Sequence, residues 1–115
     1  MTGAHPPELI AVGGACATGI FRVAALPELP AKVIADRMTR VADGMDISAA
    51  CAFTRLGGKT AAWARAGDDA DGEFIRKSLA AEGLDVSGIR RVQGGRSSQV
   101  ARRPRPPGLP VWRRR

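Results

Sequence analysis

Glycine sets the length of most apolar segments in this 115-residue chain. Leu9-Ile10-Ala11-Val12 ends in Gly13-Gly14, Ser48 to Leu56 in Gly57-Gly58, Lys59 to Ala66 in Gly67, and Asp71 to Glu82 in Gly83. None approaches the run of about 20 apolar residues that a membrane helix needs. Such short pieces must bury their apolar sides against one another, which requires a layered domain. The longest candidate, Leu9 to Phe21, contains Gly13, Gly14 and Gly19, and Met1 to Glu8 before it holds no Lys or Arg, so it is a poor signal peptide and a cytoplasmic location is expected.

Leu9 to Val12 is unbroken by polar residues, as expected of a buried strand in a mainly parallel sheet. Ile20 to Leu26 is a second extended stretch, closed by Pro27 and Pro30. In Lys32 to Val41, the spacing of Val33, Ile34, Met38 and Val41 fits a helix face or a strand equally. Ser48 to Leu56 is predicted as a helix capped by the Ser48 hydroxyl, with Ala49, Ala52, Phe53 and Leu56 facing a sheet. Lys59 to Ala66 has strand length, with Trp63 expected in the core. Asp71 to Glu82 is the clearest helix: Phe74, Ile75 and Leu79 form its buried side, Arg76 and Lys77 look outward, and Gly83 stands at the C′ position. Asp68, Asp69 and Asp71 lie between a strand and this helix start, where the dipole favours anions, so capping is expected of them before metal binding. A short extended piece from Ile89 follows.

This order gives an α/β fold with parallel strands, crossover helices and a hairpin-like excursion after the first strand. Two cysteines, Cys16 and Cys51, are too few for a disulfide framework and are expected to be small buried side chains. His5 is the only histidine, which leaves no Cys/His set for zinc, and its place beside two prolines predicts exposure.

The middle of the chain resembles a known family. Val12-Gly13-Gly14, Arg22-Val23-Ala24-Ala25-Leu26-Pro27, Arg55-Leu56-Gly57-Gly58, Gly67-Asp68-Asp69-Ala70-Asp71-Gly72-Glu73-Phe74 and Leu79 to Ser87 occur in the order seen in the N-terminal part of ribokinase-like (PfkB-type) carbohydrate kinases. The resemblance covers about residues 9–98. It implies an incomplete Rossmann-like parallel sheet carrying a small β lid, here Ile20–Leu26 and part of Lys32–Val41. It also implies transfer of the ATP γ-phosphate, with Mg2+, to a hydroxyl of a sugar or nucleoside. Thr18, Gly44 and Ser48 occupy positions that contact this substrate in the family. Lid strands of the family often meet another subunit.

Several positions depart from the family pattern. Thr18 stands where the first strand usually delivers an Asp, and a hydroxyl is a weaker acceptor than a carboxylate. Ser48 stands in place of an Asn. Ala42-Asp43-Gly44 replaces close glycines, so a Cβ at 42 and a carboxylate at 43 are expected to hinder substrate. Asp46 replaces a small residue. The Gly-Ala-Gly-Asp motif that supplies the family's catalytic base is absent, and no ATP site is expected in this chain.

Charge divides the chain as well. Residues 1–100 hold 12 Lys and Arg against 11 Asp and Glu, while residues 101–115 hold six Arg and no acid. Four of the eight prolines fall in 104–110, which forbids regular ladder pairing there. Two parts are therefore expected: residues 1–98 as the N-terminal part of a ribokinase-like domain, and residues 99–115 as a disordered Arg/Pro-rich tail. The switch near residue 98 suggests a truncated or frame-shifted kinase reading frame, inactive alone, which the other two frames of its coding DNA would test. An open sheet edge predicts marginal folding, homo-oligomerisation or aggregation. The alternative is a non-catalytic basic protein whose Arg-rich arm makes weak, salt-dependent nucleic-acid contacts; sequence-specific nucleic-acid binding is not expected.

Overall fold

The structure is a computed structural model and describes residues 5–102. Most of the Arg-rich tail therefore lies outside the described residues. The elements run β1 (Leu9–Val12), β2 (Cys16–Arg22), β3 (Arg37–Asp43), α1 (Met45–Arg55), β4 (Thr60–Gly67), α2 (Ala70–Ala81), β5 (Ile89–Val92) and β6 (Ser98–Arg102). They form two three-stranded sheets, β1-β4-β5 and β3-β2-β6.

The first sheet is wholly parallel, with Ala11 beside Ala62 and Ala64 beside Ile89. Helices α1 and α2 provide the crossovers. Thr60 and Ala61 at the start of β4 are both buried, and from Ala62 onward the side chains alternate, so Ala62, Ala64 and Ala66 are buried while Trp63 and Arg65 are exposed. Alanine on the covered face lets helices approach the strands closely. Ile47 and Ala50 of α1, Ile75 and Leu79 of α2, and Ile89 of β5 complete this core. Each of the large side chains contributes about 1.5–3 kcal/mol through burial.

The second sheet is the lid. β2 pairs antiparallel with β3, Cys16 facing Asp43, and parallel with β6, Cys16 facing Ser98. The ambiguous Lys32–Val41 segment thus resolves into irregular chain followed by a strand, and β2 begins earlier than the expected Ile20. Residues 99–102 of the expected tail belong to β6, because the prolines begin only at Pro104 and leave these amides free to pair.

Two local expectations are corrected. Helix α1 starts at Met45 with Gly44 as its N-cap, so Ser48 lies inside the helix rather than capping it. This earlier start turns Ile47, Ala50 and, in part, Thr54 toward the sheet. Ala49, Ala52 and Phe53 are exposed, and Leu56 is 88% exposed. Trp63, expected in the core, is 51% exposed on the uncovered face of β1-β4-β5, beside Ile10 and Val12. The alternation of β4 decides this: once the alanines face the helices, position 63 must face away.

Helix α2 follows the expectation closely. Ile75 and Leu79 are buried, Phe74 is half-buried, and Gly83 has φ +93°. Arg76, expected to look outward, instead donates to the Ile89 carbonyl. His5 is exposed, whereas Cys16 and Cys51 are half-buried free thiols. Burial raises the Cys51 thiol above its ordinary pKa, and the Glu82 carboxylate adds to that.

Candidate functional site

The three expected site residues meet where the lid joins the parallel sheet. Thr18 is central in β2, Gly44 separates β3 from α1, and Ser48 is in the first turns of α1. Their common partner is Asp43, the last residue of β3. Its Oδ1 accepts from the Gly44 N–H at 2.8 Å and from the Ser48 hydroxyl at 3.3 Å. Its Oδ2 accepts from the Thr18 hydroxyl at 3.5 Å and forms an ion pair with Arg102 Nη1 at 3.0 Å. The Cys16 thiol, 3.3 Å from the Asp43 carbonyl, joins the same junction.

Accessibility separates the three. Ser48 is exposed, but Thr18 is 0% exposed, so its hydroxyl acts on Asp43 and reaches no solvent. Gly44 is required twice over. Its φ is +150°, and a Cβ there would lie 2.2 Å from the Gly14 carbonyl oxygen. This contact presses the end of β1 against the start of α1. Gly13 faces the Asp46 carboxylate so closely that a Cβ would stand 2.6 Å from Asp46 Cγ. Asp46 is in the first turn of α1, where the helix dipole favours a negative charge. Among the described residues, its Oδ2 is buried without a hydrogen-bond partner.

Asp43, expected from the sequence only as a carboxylate that hinders substrate, is where the other three converge. A usable signal was its place at a strand end directly before a helix-starting glycine, where a carboxylate finds free N–H groups.

The acidic turn before α2 has a different purpose. Asp69 caps α2 by accepting from Gly72 N at 2.8 Å, and it also accepts from Ser97 Oγ at 2.6 Å and Ser97 N at 2.8 Å. These bonds, first those from Ser97, lower its pKa from 3.8 to about 2. Asp68 accepts from Gly94 N at 3.0 Å. Asp71 pairs with Arg40 of β3 and accepts from Gln99 of β6, which fastens the lid to α2.

A parallel sheet with crossover helices and a strand lid, whose β2 and β3 lie between β1 and α1, matches the N-terminal architecture of ribokinase-like kinases. The profile of the pfkB family carbohydrate kinases matches residues 7–102, and the chain belongs to that family. Among solved structures, it is similar to a protein from Agrobacterium tumefaciens assigned as a ribokinase, at 35% identity and TM-score 0.77, over 84% of this chain and 32% of that one. It is also similar to a fructokinase from Halothermothrix orenii, at 25% identity and TM-score 0.65, over 82% of this chain and 32% of that one. A ribokinase from Arabidopsis thaliana, solved with ribose and ATP, matches at 24% identity and TM-score 0.68, over 84% of this chain and 32% of that one. The chain therefore spans about a third of the length of these proteins.

Proposed function

We propose that this chain is the substrate-side part of an ATP-dependent carbohydrate kinase, a cytoplasmic protein that holds a sugar or nucleoside hydroxyl for phosphoryl transfer. The observation that carries the reading is the convergence of Thr18, Gly44 and Ser48 on one carboxylate at the lid junction. Phosphoryl transfer relies on positioning and charge neutralisation, and the lid and the α1 start supply positioning. Ser48 offers an exposed hydroxyl, Gly44 lets backbone approach a ligand, and Thr18 steadies Asp43 from beneath. The α1 N-terminus orients these groups against the Gly13-Gly14 turn.

ATP and Mg2+ belong to the proposed reaction as the family's phosphate donor and its metal. The acidic turn before α2 does not fit the metal. Asp68, Asp69 and Asp71 are each engaged by Gly94, by Gly72 and Ser97, or by Arg40 and Gln99. No step is therefore assigned to them, and the isolated chain is expected to be inactive.

Two measurements on the purified chain test this reading. Neutral sugars or nucleosides should raise its melting temperature, and an ATP-coupled assay over the same compounds should show no turnover. Phosphorylated product would refute the inactivity, and absence of any sugar-dependent stabilisation would refute the substrate-side role.

A further inference from the structure

We propose that Asp43 is the charged hydroxyl acceptor of this site, and that its carboxylate restricts the site to neutral, hydroxyl-rich sugars or nucleosides and turns away sugar acids. The inference rests on the substrate-side reading and assigns its chemistry to a single residue.

The geometry leaves Asp43 able to take a ligand. An ionised carboxylate offers about four lone-pair positions. The Gly44 N–H, at 2.8 Å, and Arg102 Nη1, at 3.0 Å, hold two of them at normal hydrogen-bond distance. The Ser48 and Thr18 hydroxyls stand at 3.3 and 3.5 Å, long for an O–H donor, and Ser48 can rotate toward solvent. Arg102 closes Oδ2 from the surface with a side chain that is 64% exposed. An ion pair so exposed contributes little and yields readily to competing donors. The Asp43 side chain itself is 19% exposed, so solvent reaches it while Thr18 lies wholly beneath.

Thr18 and Asp43 are diagonal neighbours across the β2–β3 ladder, since Thr18 is opposite Val41 and Asp43 is two residues further on. The buried hydroxyl therefore acts as a positioning group for the carboxylate beside it. Charge then sets the ligand class. Asp46 adds a second carboxylate within the same α1 start, and its buried Oδ2 has no donor among the described residues. The Asp43 carboxylate is the one open to hydroxyl donors, and the negative charge of Asp43 and Asp46 at one junction repels a carboxylate-bearing sugar.

The full 115-residue chain would be titrated calorimetrically with D-ribose, D-fructose and adenosine, and with D-ribonate as the acid. The unsubstituted chain should bind at least one neutral compound and reject D-ribonate. Asp43→Asn should weaken the neutral ligand about tenfold, the gap between a charged and a neutral hydrogen bond, and should narrow the discrimination against D-ribonate. Asp43→Gly should weaken it further. Tighter binding by Asp43→Gly would show that Asp43 obstructs the site, and would overturn the inference. Unchanged affinity in both variants, or a loss without narrowing of the acid discrimination, would overturn it too and leave the substrate-side reading standing. No binding of any neutral compound by the unsubstituted chain would remove both.

Discussion

The parallel sheet and the lid are held together by different physics. In β1-β4-β5, one face of every strand contributes to a core in which Ile47, Ile75, Leu79 and Ile89 are at most 1% exposed. In β3-β2-β6, β6 is exposed throughout and β3 along its first four residues, and only Ala17 and Thr18 of β2 are buried. The lid rests instead on backbone ladders and on the polar ties of Asp71 with Arg40 and Gln99. A half held by burial is stiff, whereas a half held by exposed polar contacts opens at low cost. In the substrate-side role proposed above, this division would let the lid yield to a ligand while the frame stays fixed.

The largest expected effect tests the stiff half. Leu79→Ala, at a 1% exposed position between α2 and the sheet, should destabilise the chain by about 2–5 kcal/mol. Phe21→Ala in the lid, at 41% exposure, should shift a urea midpoint far less. Equal shifts would erase the contrast. The next effect falls on the joint between the halves. Gly44→Ala forces a Cβ against the Gly14 carbonyl and a φ of +150° on an L residue, so a loss of about 1–3 kcal/mol is expected from the strain. Its chemical-denaturation midpoint should fall between those of the other two variants.

The same division explains what the sequence disclosed. Strand β1, helix α2 and its Gly83 stop were legible because each is encoded locally, by an unbroken apolar run, by helical spacing and by a glycine at positive φ. Phe53 and Leu56 misled because apolar side chains at helical spacing define a stripe but not the helix start, and a start at Met45 rotates the buried face to Ile47 and Ala50. Trp63 misled because size suggested burial, while the alanine alternation of β4 had already assigned it to the other face. Lid strand β3 was ambiguous because its side chains are exposed or half-buried and carry no period. Thr18, Gly44 and Ser48 could be named from the resemblance. Asp43 was not among them, since its contacts with Thr18 and Ser48 depend on the β2–β3 register and on where α1 starts.

Acid should separate the halves in a further way. Asp69 joins β4, α2 and the Ser97 loop, and its pKa is lowered to about 2 from 3.8 by the Ser97 and Gly72 bonds. A carboxylate with a lower pKa in the folded state stabilises fully above the unfolded value and loses that contribution as pH falls through the folded one. Melting temperature should therefore decline between about pH 4 and pH 2, with Ser97 and Gly72 amide exchange rising in step. Asp69→Asn, which keeps a capping oxygen, should be less stable at neutral pH and should flatten this decline. A variant that retains the full acid slope would assign the slope to other carboxylates.

The smallest effect compares ion pairs across the two halves. Arg55 meets Glu82 at 2.9–3.0 Å between the ends of α1 and α2, with side chains 70% and 38% exposed. Water competes for both groups, so a double-mutant cycle on Arg55→Ala and Glu82→Ala should return about 0.5 kcal/mol and less in high salt. Arg40 and Asp71 differ in three respects. Asp71 is only 15% exposed, it also holds Gln99, and the Arg40 guanidinium lies 4.3 Å from the Phe74 ring centroid. The cation–π contact and the drier carboxylate strengthen this pair, so its coupling should exceed that of Arg55–Glu82 and survive salt better. If the two couplings prove equal, the lid is not held by its polar ties, and the β2–β3 and β2–β6 ladders alone must keep it on the sheet.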